Sequence, residues 1–130
     1  MQTTYQYPQY LYVYNSGGEA IQNETTGEWE SSAAALWELW GVCREEANGS
    51  GQVIYASGGD AIVFSSLIQI PKGTPRINEM TEVLVSRTEI TPAQLLSDNF
   101  IKQSLMSGLI VAKGRCLKYD FGRLHCRLWI

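Results

Sequence analysis

The chain has 130 residues, of which 45% are hydrophobic, 18% charged and 11% aromatic, and a formal net charge of −3. That length fits one domain, 1–130, able to bury a core without covalent staples, and the composition excludes a disordered chain. No apolar run approaches the roughly 18 residues of a membrane-spanning helix. The start, MQTTYQYPQY, lacks the basic and apolar regions of a secretory signal. We therefore expect a chain made inside the cell, with no membrane among its partners.

The charge is unevenly placed. Residues 1–60 carry seven Glu and one Asp against Arg44 alone, or −7; residues 61–130 carry nine Lys and Arg against five acids, or +4. Two readings stand. One is a dipolar surface suited to head-to-tail contacts between identical copies. The other is that the halves interleave in space, as the strands of a barrel do. Cys43, Cys116 and Cys126 have no metal-ligand spacing, and their odd number does not suggest a disulfide framework. Free thiols serving as small core residues are expected in a reducing compartment.

Residues 1–10 read as a loose, Tyr-rich arm, broken by Pro8. YLYVY at 10–14 is a short strand of aromatic and β-branched residues, followed by a turn at 15–18. A return strand at 19–22 and a second turn at 23–27 come next. The stretch 32–40 could be capped as one helical turn by Ser32. Alternation instead favours a strand over 36–46, with Trp40, Val42 and Arg44 on one face and Leu39, Gly41, Cys43 and Glu45 on the other. Residues 52–56 form a strand and 57–60 a hairpin turn. AIVFSSLIQI at 61–70 is the longest strand expected, apolar enough on both faces to be central, and Pro71 stops it. EVLVSR at 82–87 is the next.

Residues 88–107 depart from this pattern of short loops. Thr91 followed by Pro92 predicts a helix start, Gly108 a helix end, and Ser97-Asp98-Asn99 a division into two short helices. Leu95, Leu96, Phe100, Ile101 and Leu105 form its apolar stripe. A connection this long either closes one end of the fold with that stripe as core or protrudes as an assembly segment.

The last stretch, LIVAKGRCLKYDFGRLHCRLWI, reads as two strands joined at Asp120-Phe121-Gly122. That turn would set Lys118 opposite Leu124, Leu117 opposite His125 and Cys116 opposite Cys126, a pair that a disulfide could bridge. One face would bury Ala112, Gly114, Cys116, Leu124, Cys126, Leu128 and Ile130. The other would present Lys113, Arg115, Arg123, His125 and Arg127 beside Leu117, Tyr119 and Trp129. These cations and His125 are the candidate partner- or DNA-facing residues. They would serve as an ordinary soluble outer face, meet an acidic partner, or touch a nucleic-acid backbone with the aromatics on its bases.

The tally of seven or eight short strands with one helical insert predicts an all-β fold, a small barrel or sandwich of about seven strands. Chemistry is sparse. His125 is the only histidine, no serine stands in a nucleophile elbow, and the adjacent Glu45 and Glu46 would point to opposite faces of a strand. We expect no catalytic residue, no metal and no cofactor.

Gly27-Glu28-Trp29 precedes a strand ending GVCREEANG at 41–49. Gly59-Asp60 leads to FSSLIQIP at 64–71, and Pro75-Arg76-Ile77 leads to Val83-Leu84-Val85. The chain finishes with GRCLK at 114–118 and GRLHCRLW at 122–129. This order of cues resembles the small head-closure, or head–tail connector, proteins of tailed bacteriophages. The similarity covers roughly residues 27–130 and lies in a pattern of strands and turns; the insert at 88–107 is longer than in the simplest members. The resemblance implies a small β-barrel assembled as a homo-oligomeric ring in the virion, between the portal or an adaptor and the tail, where it continues the DNA channel. It brings no catalytic residues. The alternative is a monomeric small β-barrel that binds nucleic acid or a host protein.

Overall fold

The computed structural model describes residues 2–15, 20–22, 29–31, 36–55 and 58–130, and the side chains of these except 20–22 and 29–31. The turns expected at 15–18 and 23–27, and the alternative helical cap at 32–35, fall wholly or mainly outside the described residues.

The fold is all-β with one helical insert. Seven antiparallel strands form one sheet. They are β1 (Gln9–Asn15), β4 (Leu36–Ala47), β7 (Ser66–Pro71), β8 (Glu82–Ser86), β9 (Ile110–Arg115), β10 (Lys118–Phe121) and β11 (His125–Trp129), in the order β10-β11-β7-β4-β1-β8-β9. Two further ribbons pair β2 (Ala20–Gln22) with β3 (Trp29–Ser31) and β5 (Val53–Tyr55) with β6 (Ala61–Val63). β1 begins at Gln9, inside the segment read as an arm.

The sheet is not a closed barrel; it folds into two leaves. β4 is the hinge. Its first part pairs with β1, and Arg44 to Ala47 pair with β7. At the opposite corner the chain crosses directly from β9 to β10. Cys116 bonds to Thr81 and Met80 beside β8, while the next amide, that of Leu117, donates to Trp129 on β11 at 2.8 Å. One core lies between the leaves, built from Leu11, Cys43, Ile68, Ile70, Val83, Val85, Cys116, Cys126 and Leu128 among others.

Each leaf also has an outer cover. The insert forms α1 (Pro92–Leu95) and α2 (Asp98–Ser107), which seat Leu95 and Ile101 against Tyr12, Trp37, Leu84 and Ile110. That second core explains why β8 is buried on both faces. The helix signals act as their chemistry dictates. Thr91 and Gln94 cap α1 reciprocally with Pro92 in the first turn, Ser97 accepts from the Phe100 amide to start α2, and Gly108 ends it at φ 82°. The fully buried Tyr12 hydroxyl bonds both backbone groups of Ile90, donating at 2.9 Å and accepting at 2.6 Å. On the other leaf, β5–β6 lays Ile54 and Ile62 against Phe64, Leu67, Leu117 and Trp129.

Local irregularities explain where strict alternation misassigns side chains. Leu11 pairs with Gly41 but Tyr12 with Leu39, so Trp40 is an extra residue and the pleat changes phase across it. Trp37 and Leu39 then join the cluster under the helices, while Gly41 and Cys43 turn inward; Leu39 does not share a face with Cys43. The expected 61–70 strand is broken at Phe64 and Ser65, which sends Ile62 and Phe64 outward and Ile68 and Ile70 inward. β4, not the expected 61–70 segment, is the longest strand and the middle one of the seven; β7 lies inside the sheet beside it, while 61–63, the half expected to make the strand central, belongs to the β5–β6 ribbon. At the Cys116–Leu117 crossing the pleat slips again, so that Cys116 and Tyr119 both face the core.

Candidate interaction surface

The crossing resets the C-terminal hairpin. Lys118 lies opposite Trp129, Asp120 opposite Arg127 and Phe121 opposite Cys126, with residues 122–124 as the turn. The expected pairs Lys118–Leu124, Leu117–His125 and Cys116–Cys126 do not form, because the slip moves the register towards the C-terminus. All three cysteines are buried free thiols. Leu124, expected in the core, is 83% exposed at the turn. Gly122 is required there, since a Cβ would collide with the His125 carbonyl oxygen.

The five candidate residues do not form one face. Lys113 and Arg115 lie on β9 of one leaf; Arg123, His125 and Arg127 lie on or beside β11 of the other. Lys113 sets its ammonium 6.0 Å from the Trp37 ring centroid, and Arg115 is opposite Glu82. Arg127 donates to the Asp120 carboxylate at 2.7 Å and stacks 5.5 Å from the Trp129 ring, so the shifted register gives it a counter-charge inside its own hairpin. His125 is half-buried, and its Nδ1 has no hydrogen-bond partner. Arg123 is exposed and forms no ion pair among the described residues.

Arg123 has neighbours that alternation along one hairpin could not reveal. β7 ends at Pro71 opposite His125, which brings the following Lys72 to the tip, where its ammonium donates to the Arg123 carbonyl oxygen at 3.2 Å. Arg76 lies 5.9 Å from the Tyr119 ring and 5.7 Å from the Phe121 ring. Lys72 and Arg123 thus stand at the tip with exposed Leu124, and Arg76 beside exposed Phe121; among the described residues no carboxylate is ion-paired to any of the three cations. The signal was the basic stretch PKGTPR at 71–76, legible only once β7 is known to pair with β11.

The candidate assembly segment is divided. Leu95, Ile101 and half-buried Phe100 are packed on the sheet, as a docked insert requires. Leu96 and Leu105 stay outside with Met106, which is 88% exposed. The β5–β6 ribbon adds exposed Val53, Tyr55 and Val63; Val53 and Val63 are a cross-strand pair.

Burial shifts four titrating groups of the core. Burial raises the Cys43 thiol. It also pushes Cys116 up to about 11, with nearby Glu79 adding to the rise and Arg76 opposing it. Burial likewise raises Tyr119, whose hydroxyl lies by the Cys126 thiol, and Tyr12, where the Ile90 bond partly offsets it. Among the described residues no three His, Cys, Asp or Glu converge as metal ligands, and no helix is long and apolar enough to cross a membrane. Comparison with protein-family models, with curated proteins and with solved structures finds no match to this chain.

Proposed function

We propose that this chain is a virion structural protein, a head-closure or head–tail connector that assembles as a ring between portal and tail around the DNA channel. It acts without catalysis, in particles built in the host cytoplasm. The observation that supports this reading is where apolar surface is left bare. Among the described residues, all the exposed large hydrophobics except Tyr5 and Met80 sit on three projections: the β5–β6 ribbon, the 121–124 tip and the outer side of the helical insert. The two leaves between them are covered. A rigid body with separate apolar contact points suits a subunit that meets several neighbours, and the resemblance of residues 27–130 names the kind of assembly.

The test is co-sedimentation and negative-stain imaging with the cognate portal ring and with portal lacking its tail-facing end. A ring stacked on the intact portal alone is the expected outcome; no association at any concentration refutes it. A second reading, a monomeric module for nucleic acid or a host protein, is favoured by Lys72 and Arg123 at the tip and Arg76 beside Phe121, none of them ion-paired among the described residues. It predicts salt-sensitive binding of single-stranded DNA that is lost in the Arg76→Ala, Arg123→Ala double variant.

A further inference from the structure

The exposed tip has a complement at the opposite end of the same leaf. β7 runs from Ser66 to Pro71, so about 17 Å of strand separates its two ends. At the Pro71 end stands the tip, with Arg123 and Leu124 side by side and Lys72 behind them. At the Ser66 end lies an open, largely polar groove of about 200 Å³, bordered by Glu46, Asn48 and Gln52, with Leu67 and the edge of buried Phe64 in its lining. Glu46 is exposed; its carboxylate accepts from the Gln69 amide at 2.9 Å and is ion-paired to no cation among the described residues, although Arg44 lies two residues away on the same face.

Both parts are held in shape. Asn48 fixes the groove wall, donating from its side chain to the Gln52 and Phe64 carbonyls at 2.9 and 2.7 Å and accepting from the Gln52 amide at 3.0 Å. The Lys72 bond and the tight turn at Gly122 fix the tip. Little ordering is therefore left to do on contact.

We infer that the 121–124 tip of one copy docks into the Glu46 groove of a second copy, Leu124 against Leu67 and the edge of Phe64 and Arg123 against the Glu46 carboxylate. The partner is a second copy because the charges are complementary: a cationic tip with exposed Leu124 meets an exposed carboxylate that, like Arg123, is in no ion pair among the described residues. Because the two patches are different and lie at opposite ends, the contact is heterologous and repeats, closing into a ring or extending as a chain. This deepens the connector reading, on whose ring it rests.

Sedimentation velocity tests it, at low and high salt and up to the solubility limit, with urea midpoints showing that each variant is folded. The wild type should self-associate, more weakly as salt rises. Arg123→Glu, Leu124→Asp and Glu46→Arg should each weaken association by about tenfold or more. An equimolar mixture of the Arg123→Glu and Glu46→Arg chains should restore it, since every tip then meets a groove of opposite charge. A wild type that stays monomeric throughout, association indifferent to these variants, or a mixture that does not recover overturns the inference. So does association that nuclease abolishes, which would make nucleic acid the bridge. Portal imaging separates the two claims. Rings on the portal that the tip variants still form remove this contact and leave the connector standing. Head-to-tail association without portal binding does the reverse.

Discussion

Replacing Tyr12 by Phe removes one oxygen from the interface between the sheet and the helical insert. That oxygen bonds both the N–H and the C=O of Ile90, and both residues are buried. The substitution leaves the ring packed and strands two backbone groups away from water, each costing about 1–3 kcal/mol when unsatisfied. Partial relaxation of the 88–91 backbone should hold the total to about 2–4 kcal/mol, or a Tm lower by about 6–16 °C for a domain of this size. Urea titration followed by tryptophan fluorescence would read the loss as a lower midpoint at unchanged m-value. Amide exchange should quicken first over 88–109. A Tyr12→Phe chain within about 0.5 kcal/mol of wild type would refute the argument that this hydroxyl latches the insert.

The remaining expectations are brief. Leu95→Ala should cost about 2–5 kcal/mol, because Leu95 is the fully buried contact of α1; calorimetry would show it. Gly122→Ala should destabilise by about 1–3 kcal/mol through its clash with the His125 carbonyl, again read as a urea midpoint. Asp120→Asn should change stability by less than about 1 kcal/mol, since the pair with Arg127 is half-exposed. For pH the sign follows from Cys116, whose pKa rises on folding from 9.0 to about 11. The unfolded chain loses that proton first, so the stability it represents is complete below pH 9 and is lost as pH rises towards 11, by up to about 1.4 kcal/mol per unit. Cys43, Tyr12 and Tyr119 shift in the same direction and steepen the alkaline fall. A urea midpoint that holds constant from pH 8 to 10.5 would contradict this. Because all three thiols are buried, native cysteines should react with a disulfide reagent only after unfolding.

Local chemistry was legible where it acts locally. Thr91-Pro92, Ser97 and Gly108 mark the helices of the insert because caps depend on a few adjacent groups. The all-β class follows from composition and alternation over short runs. What alternation could not supply was phase. The extra residue at Trp40 and the slip between Cys116 and Tyr119 are set by how strands meet across the core, and a single slip reverses every side chain beyond it. The same limit shaped the reading of the candidate site. Arg127 looked free until the register placed Asp120 opposite it, and Lys72 reached Arg123 only through the pairing of β7 with β11.

The place of β11 in the sheet bears on how the protein is made. It is the last strand in chain order, yet an inner one, flanked by β10 and β7. During synthesis both neighbours leave the ribosome with a bare edge facing the gap that β11 must fill. Until it does, each is a template for any extended segment nearby. A chain interrupted before residue 125 would therefore present two open edges in place of one covered leaf and lack the core residues Cys126, Leu128, Trp129 and Ile130. Such chains should be captured by chaperones or aggregate.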